Sequence, residues 1–349
     1  MRIMVVTETF APANDPGAET ARHITDALLA AGHEVLLLTT GCGSSSYRGI
    51  RVERTRTMFS AATVRRAAAD FGPDVAQFLG PRAMGAATMR ALEGTGVPIV
   101  VLDPTPLHPR LGTVLASSEA HARVLAAAGI RATVWRAGVR TDEHHPGLRS
   151  EALHDRWGRV GTPAGPLTVV GYVGKVGQPT TKAVRRLARI AALPGVRLVV
   201  LGSGAGTPVL KEAGAKIIGE TNGLEQARVI ASLDLLVQPR KQDPRLSAVR
   251  KALASDVPVV AFATGAAAEV VRDGVTGLLV QRTKGPGGLL DAVSRLAGDA
   301  ALRARLGDGA RETVASRTWD HAVAELVEIY QPLVAAAWGL TGSPAAAGG

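Results

Sequence analysis

The sequence has little cysteine, few aromatic residues and no long apolar run. Cys42 is the only cysteine in 349 residues, which excludes an internal disulfide framework and a structural zinc site built from thiolates. Aromatic residues make up 3% of the chain, too few for a stacking platform that binds single-stranded nucleic acid. No apolar run reaches the roughly 18 residues of a membrane-spanning helix. Residues 1–6 enter a strand pattern without a signal-peptide cleavage site, so we expect a cytoplasmic protein.

The composition is that of a globular protein with a strongly basic surface. Hydrophobic residues make up 46% and charged residues 20%, and the length favours two domains. The net charge of +10 points to an anionic partner: nucleotide phosphates, nucleic acid or an anionic membrane surface. Only 7 of the 40 basic residues are lysine, and the abundant arginine, alanine and glycine are typical of a GC-rich genome. A solvated basic surface set by codon usage therefore stays the plain alternative, and we expect no nucleic-acid partner.

Short apolar strands alternate with helical patterns along both halves of the chain. Residues 2–7, 19–31 and 33–39 give strand, helix and strand, and a comparable series runs from residue 168 to residue 280. The polar stretch 137–165, which contains His144 and His145, is the predicted linker. The pattern predicts an α/β protein with two doubly wound parallel sheets. The predicted divisions are residues 1–160, 161–318, a long helix over 319–338 and a disordered tail over 339–349.

Glycine-rich turns follow several of the predicted strands. In a parallel sheet, such turns let backbone amides and helix N-termini face an anion. Four glycines mark these turns and are candidate phosphate contacts: Gly17, Gly174, Gly204 and Gly265. The segment around Gly204 has the pattern G-x-G-x-G, and no acidic residue lies at the end of a next strand about 20 residues on in the context that dinucleotide binding requires, so a nicotinamide enzyme is not expected.

Two of the scarce lysines flank the second of these turns. Lys175 lies within it, and Lys182 begins the next predicted helix. An ammonium group on each side of a strand-to-helix turn suits a diphosphate. The alternative is a pair of solvated surface lysines.

Five segments, in this order along the chain, resemble the family 4 retaining glycosyltransferases, in particular actinobacterial mannosyltransferases that use GDP-mannose. They are MRIMVVTETFAP (1–12), GYVGK (171–175), ASLDLLV (231–237), ALASDVPVVA (252–261) and DGVTGLLV (273–280). The resemblance runs from residue 1 to about residue 330. It implies a GT-B fold, in which two Rossmann-like domains face a central cleft and the helix over 319–338 crosses back to the first domain.

The resemblance also implies the substrates. The second domain binds a nucleoside-diphosphate sugar, either GDP-mannose or a UDP-sugar, as substrate, and the first binds a hydroxyl acceptor. No metal and no cofactor is expected. The acceptor is a lipid of the phosphoinositide or diacylglycerol type, or a small polyol or natural-product aglycone.

Site residues carry over from the family position by position. Lys175 and Lys182 take the places of the cation pair that holds the donor diphosphate. The family's Glu-x7-Glu pair falls on Asp243 and Lys251; Asp243 can still accept hydrogen bonds, whereas Lys251 can only donate them. Glu220 completes the predicted donor side.

The acceptor side is assigned to residues that follow strands of the first half. Glu8 and Asp103 each follow a strand, where a carboxylate orients an acceptor hydroxyl or, alternatively, caps a helix or loop. Thr105 and His108 lie just beyond, and His108 is near the position of a histidine in many relatives.

Departures from the family pattern leave a second hypothesis open. Arg140, Asp256 and Arg240 stand where the family has other residues, and the acceptor half is shortened between residues 106 and 116. Together with Lys251, they favour the alternative of a catalytically degenerate relative that serves as a binding or scaffold partner.

The first half also contains a basic cluster that suggests peripheral contact with an anionic membrane. It comprises Arg48, Arg51, Arg54, Arg56, Arg65 and Arg66, with Met58, Phe59 and Val64 as the apolar part. A strand edge and helix with solvated arginines is the alternative.

Overall fold

The computed structural model describes residues 1–13, 15–57, 59–80, 83–104, 112–158, 165–221, 223–240, 246–281, 283 and 287–339. The chain forms two compact units. Unit 1 comprises Met1–Ala137 and the segment from Trp319 onward, and unit 2 comprises Gly138–Thr318.

Unit 1 is built on an eight-stranded sheet in the order β3-β4-β2-β1-β5-β6-β7-β8. All neighbouring strands are parallel except β3 and β4. The central strand β1 is completely apolar from Ile3 to Val6 and is covered on both faces, as expected for a parallel sheet. The strands are β1 (Arg2–Thr7), β2 (Glu34–Thr40), β3 (Ser46–Tyr47), β4 (Ile50–Thr55), β5 (Val75–Leu79), β6 (Ile99–Leu102), β7 (Thr113–Ala116) and β8 (Thr133–Val134).

Five helices cover this sheet, and local signals in the sequence define several of their ends. Asp15 caps the first helix just before Pro16, and Gly72, with φ of +60°, ends the second in the left-handed region that glycine favours. The helices are α1 (Pro16–Ala30), α2 (Ala61–Phe71), α3 (Ala83–Leu92), α4 (Glu119–Ala127) and the C-terminal α14 (Trp319–Ala337).

Helix α14 packs into the core of unit 1. Its apolar face contributes Trp319, Leu326 and Tyr330 to a cluster with α1 and the sheet. The indole of Trp135 donates a hydrogen bond to the carbonyl of Ala322 at 2.7 Å. The fully buried hydroxyl of Tyr330 donates to Oε1 of Gln77 on β5 at 2.8 Å, and burial raises the pKa of Tyr330 well above its usual value.

Unit 2 contains an all-parallel six-stranded sheet in the order β11-β10-β9-β12-β13-β14. Separate apolar clusters cover its two faces. The strands are β9 (Thr168–Val173), β10 (Val196–Leu201), β11 (Lys216–Gly219), β12 (Leu235–Gln238), β13 (Val259–Phe262) and β14 (Gly277–Val280). The helices are α5 (Glu151–Gly158), α6 (Lys182–Ala191), α7 (Thr207–Glu212), α8 (Gly223–Ala231), α9 (Ser247–Ala254), α10 (Ala267–Val270), α11 (Gly288–Gly298), α12 (Ala300–Gly307) and α13 (Glu312–Ala315).

The division between the units lies after Ala137. The polar stretch had led us to expect it near residue 160. That stretch is not a simple linker, because it contains a 3-10 turn over Pro146–Leu148 and helix α5. Trp157 of α5 is 3% exposed and belongs to the core of unit 2. Nε2 of His154 also lies 3.0 Å from the carboxylate of Asp234 at the start of β12, so α5 is attached to the sheet at two points.

Other features of the fold are local. Helix α12 ends at Gly307, and Gly309 takes φ of +72° in the break before α13. Strands β3 and β4 and helix α2 form in the arginine-rich segment, in agreement with the alternative of a strand edge and helix. The predicted disordered tail lies, apart from Gly339, outside the described residues.

Candidate active site

The strand order of unit 2 defines where a ligand meets this sheet. The chain leaves β9 toward β10 and β11 on one side, then returns to β12 and continues to β14 on the other. The connections that follow β9 and β12 therefore diverge at the carboxyl ends of two neighbouring strands. Such a switch point is where ligands bind to open parallel sheets. Lys175 follows β9 and Arg240 follows β12, so two cations lie beside it.

Two of the glycine-rich turns predicted from the sequence pack directly against each other at this edge. The amide of Gly174 donates to the carbonyl of Leu201 at 2.9 Å, and the amide of Val176 donates to the carbonyl of Ser203 at 2.9 Å. Gly204 has φ of +150°, and a Cβ atom there would lie 1.8 Å from the carbonyl oxygen of Val176. Only glycine fits such an approach, so these residues set the path of the turn that contains Lys175.

Lys175 and Lys182 both lie in the connection between β9 and α6. Both side chains are exposed, and neither forms an ion pair within the described part of the chain. The position of Lys182 is set by Thr181, whose side chain caps α6 by accepting from the amide of Val184 at 3.4 Å. Two uncompensated ammonium groups at a glycine-rich turn form a local positive potential suited to a diphosphate.

Arg240 holds the Lys175 turn from the neighbouring strand. Its guanidinium donates to the carbonyl of Lys175 at 2.7 Å, and the hydroxyl of Tyr172 donates to the same oxygen at 3.0 Å. The sequence analysis treated Arg240 only as a departure from the family pattern. Because Arg240 follows an apolar strand, the sequence could have suggested that it lies at the edge of the sheet. That it lies close to Lys175 could not be foreseen, because this depends on the pairing of β9 with β12.

A second arginine supports the end of β12. Nη1 of Arg186 on α6 donates to the carbonyl of Pro239 at 3.0 Å, and its guanidinium lies 4.8 Å from the ring centre of Phe262. Burial lowers the pKa of Arg186 from its usual value. This packing connects helix α6, which begins with Lys182, to the strand that precedes Arg240.

The other predicted donor residues lie on several connections of unit 2. Glu220, after β11, accepts a hydrogen bond from Oγ of Ser203 at 2.9 Å. Nζ of Lys251 on α9 donates to Oε1 of Gln226 on α8 at 2.6 Å. Gly265 has φ of +66° just before α10. Asp243 lies outside the described residues.

Two predicted residues of unit 1 hold local structure. The amide of Gly17 donates to the carboxylate of Asp15, the cap of α1, at 2.8 Å, so that amide already has an anionic acceptor. The carboxylate of Glu8 accepts from the amide of Gly85 in α3 at 3.3 Å. The contact of Glu8 is the one expected if its carboxylate caps a helix, and the amide of Gly17 already has a partner within the protein. Neither contact is that of an open ligand site.

Asp103 has a different environment. Its side chain is 5% exposed, and Oδ1 lies 2.8 Å from both the amide of Ser117 and Nδ1 of His121. Oδ2 is buried and has no hydrogen-bond partner among the described residues. An ionised Asp103 can only accept hydrogen bonds, so His121 must carry a hydrogen on Nδ1 to bind it. In the neutral imidazole, Nε2 is then a hydrogen-bond acceptor. Thr105 and His108 lie outside the described residues.

His121 was missed by the sequence analysis. It lies in the first turn of α4, and Oγ of Ser118 caps this turn by accepting from the His121 amide at 3.1 Å. A histidine at the head of a helix after a strand is a weak signal. Its partner Asp103 is 18 positions earlier and is brought near by the pairing of β6 with β7.

The basic cluster of unit 1 lacks the apolar part expected of a membrane-binding surface. Val64 is fully buried and Phe59 is 9% exposed, since both face the core beneath α2. Arg54 donates to three backbone carbonyls, of Ser44, Cys42 and Ala11, and burial lowers its pKa. Met58 lies outside the described residues. The expectation that Phe59 and Val64 form an apolar contact surface is therefore wrong.

The described residues lack two other kinds of site. Within them, no helix has the length and apolar character needed to cross a bilayer. No group of three or more His, Cys, Asp or Glu side chains capable of holding a metal ion occurs there either. Metal independence stays a prediction from the resemblance.

Comparison with known proteins agrees with this arrangement. The family model described as glycosyl transferases group 1 matches residues 168–299, which include the Lys175 turn. A GDP-mannose-dependent alpha-mannosyltransferase of Mycolicibacterium smegmatis is 30% identical over 96% of this chain and 98% of its own length. Another protein of that name, from Mycobacterium tuberculosis, is 29% identical over 95% of this chain and 96% of its own.

Solved structures resemble the chain over nearly its whole length. Sucrose-phosphate synthase from Thermosynechococcus elongatus matches 96% of this chain and 99% of its own, with a TM-score of 0.76 at 17% identity. Anabaena HepE in complex with UDP and glucose matches 95% of this chain and 99% of its own, with a TM-score of 0.75 at 17% identity. The predicted α/β class with two Rossmann-like parallel-sheet units, the GT-B fold, is thus confirmed. By full-length similarity to its sequence relatives, the chain belongs to the group 1 glycosyl transferases.

Proposed function

We propose that the protein transfers a hexosyl group from a nucleoside-diphosphate sugar to a hydroxyl acceptor with retention of configuration. GDP-mannose is the first donor to test, because the mycobacterial relatives are named for it; a UDP-sugar is the second. The observation that carries the proposal is the pair of exposed ammonium groups, Lys175 and Lys182, on the turn between β9 and α6.

The chemistry assigned to these lysines is electrostatic. As the bond from the anomeric carbon to the diphosphate breaks, its electron pair stays on the leaving oxygen. Cations already in position stabilise that charge with little reorganisation. The contacts of Tyr172 and Arg240 to the Lys175 carbonyl hold the turn in place before the donor arrives. The acceptor oxygen forms its bond on the same face, and its proton passes to the leaving phosphate oxygen.

For the acceptor, we propose that the pair of Asp103 and His121 binds a hydroxyl. With Nδ1 of His121 bound to the buried Asp103 carboxylate, Nε2 can accept a hydrogen bond from a non-reacting hydroxyl of the acceptor. Because Phe59 and Val64 are core residues, the described part of unit 1 supports a small polyol or natural-product aglycone more than a lipid acceptor. A cytoplasmic location and contact with a membrane surface stay predictions.

Binding of GDP and of guanosine to Lys175→Ala tests the donor site. Loss of one charge-assisted contact weakens GDP binding by about tenfold to a hundredfold and leaves guanosine binding unchanged. Lys211→Ala is the matched control, since Lys211 is another exposed lysine of unit 2, located on α7. Calorimetry measures both ligands. Equal losses for GDP and guanosine, or an equal effect of the control, contradict the assignment.

Hydrolysis of a panel of nucleotide sugars by the unmodified protein identifies the donor. We expect slow release of GDP from GDP-mannose, measured without an acceptor. Thermal shifts with GDP, UDP and ADP accompany this assay, because a ligand bound by the native state raises the melting temperature. If no nucleotide at millimolar concentration shifts the melting temperature, the scaffold hypothesis replaces the transferase.

A further inference from the structure

A second basic site lies in unit 2, on a different edge of the sheet from Lys175. A cavity of about 220 Å³ is lined by Arg156, Trp157, Arg197 and Lys216. A single water needs only about 10–15 Å³, so the cavity has room for a small polyatomic anion together with water. Three of the four described residues that line it are cations.

The sheet brings these residues together. Lys216 begins β11 and pairs with Val199 of β10, and Arg197 is two positions before Val199. Side chains two apart on a strand, and those of paired residues in parallel strands, lie on the same face, so Arg197 and Lys216 share one face. Val199 and Trp157 belong to the same apolar cluster, which identifies this as the face covered by α5, the helix that contains Arg156.

The three cations lack acidic partners. Within the described residues, none of Arg156, Arg197 and Lys216 forms an ion pair. Nη1 of Arg197 donates to the carbonyl of Gly214 at 3.1 Å, whereas its Nε is buried without an acceptor. A buried donor without a partner is destabilising, and its positive charge is incompletely compensated.

Two neighbouring carboxylates and a neighbouring carbonyl have contacts of their own. Asp155 lies 4.0 Å from Nδ1 of His154, and Asp234 binds Nε2 of the same ring. The carbonyl of Gly158, at the end of α5, accepts from the amide of Leu167 at 2.8 Å. The electrostatics of the cavity therefore favour an anionic ligand.

We propose that Arg156, Arg197 and Lys216 bind a phosphate group, carried by a soluble phosphorylated compound or by the headgroup of an anionic lipid. A phosphate monoester has a charge of about −1.5 to −2 at pH 7 and three acceptor oxygens, and so balances three cations better than a carboxylate does. Arg197 and Lys216 are at the amino end of their strands, whereas Lys175 follows a carboxyl end. From Arg197 to the end of β10 the sheet spans roughly 13 Å, so the site is separate from the donor site.

The test uses the full chain with Lys175→Ala and Lys182→Ala, so that phosphate binding at the donor site is removed. Calorimetry with inorganic phosphate and with glycerol phosphate measures the remaining binding. We expect Arg197→Gln and Lys216→Gln each to weaken it about tenfold, because each removes a charge-assisted contact. Arg305→Gln, which removes an exposed charge of the same unit on α12, leaves it unchanged.

Flotation with vesicles distinguishes the two sources of the phosphate. Vesicles of phosphatidylcholine with phosphatidic acid retain the protein if the site binds a lipid headgroup, and Lys216→Gln abolishes this retention. Binding of glycerol phosphate without retention on vesicles assigns a soluble ligand. Lys216 is exposed, so its variant folds even where Arg197→Gln does not. The proposal is wrong if neither probe binds at millimolar concentration, or if Arg305→Gln weakens binding as much as Lys216→Gln.

Discussion

Replacing Gly204 by alanine tests how tightly the two glycine turns of unit 2 are packed. The new Cβ would lie 1.8 Å from the carbonyl oxygen of Val176, in a residue with φ of +150°. That conformation costs an L-residue about 1–3 kcal/mol. The Val176 turn must also move by more than 1 Å, which weakens its hydrogen bond to Ser203, worth about 0.5–1.5 kcal/mol. Together with the steric strain, we expect a loss of about 3–5 kcal/mol.

The matched control is Gly214→Ala. Gly214 also has a positive φ, of +90°, but a Cβ atom there would have its nearest contact at 4.0 Å. This variant therefore shows the conformational cost alone, about 1–2 kcal/mol. Urea denaturation measures both variants. Because the Val176 turn contains Lys175, Gly204→Ala should also weaken GDP binding, while Gly214→Ala should not. If the two variants lose equal stability, the packing of Gly204 against Val176 is not as described.

Three further predictions concern stability. Tyr330→Phe leaves the amide oxygen of the fully buried Gln77 without its donor and costs about 1–2 kcal/mol in urea denaturation. Asp256 has φ of +56°, and its carboxylate accepts a hydrogen bond from the amide of Arg311, just before α13. Asp256→Gly relieves the backbone strain but loses this hydrogen bond, so the free energy of unfolding changes by less than about 1 kcal/mol. Asp256→Ala loses the hydrogen bond and keeps the strain, so it costs more. The hydrogen bond from Arg140 lowers the pKa of Asp142 to about 2. The stabilisation that this hydrogen bond gives the fold is present above pH about 4 and is lost toward pH 2. It is small because the Asp142 side chain is 64% exposed. The unfolding free energy of Asp142→Asn, measured against pH, should lack this change.

The strands of both sheets could be predicted because parallel strands buried on both faces are short, continuous apolar runs. β1 spans the predicted residues 2–7, and the second predicted series begins with β9 at Thr168 and ends with β14 at Val280. These elements are bounded by turn residues, so their limits depend on local sequence alone.

The structure differs where tertiary contacts outweigh local polarity. Helix α5 lies in a stretch with low apolar content, and its attachment depends on one tryptophan, Trp157, and on the pairing of His154 with Asp234, 80 positions later. A contact over that distance leaves no periodic signal in the chain. For the segment of β3 and β4 the sequence indicated only a strand edge without bounds, because the residues of these two strands are mostly polar.

Some candidate site residues could likewise be found from the sequence, whereas others could be found only from the fold. Lys175 and Lys182 lie in one turn and could be found from glycine spacing and scarce lysine. Arg240 comes close to Lys175 in unit 2, and His121 close to Asp103 in unit 1, only through the order of the strands. Gly17 shows the opposite case, because its amide looked available until the structure placed the carboxylate of Asp15 on it. A glycine-rich turn before a helix indicates an anion site only if no side chain of the protein fills it.

The two cation clusters of unit 2 are far enough apart to bind anions independently. The cations at the carboxyl ends of the strands and those around Arg197 are separated by roughly 13 Å of sheet. At this separation two unit charges in water interact by about 0.3 kcal/mol, and physiological salt, with a Debye length of about 8 Å, reduces this further. Each cluster therefore attracts its own anion, and occupancy of one should leave the affinity of the other unchanged. Phosphate titrations in the presence and absence of saturating GDP measure this directly, and strong coupling between them would mean that both ligands compete for one site.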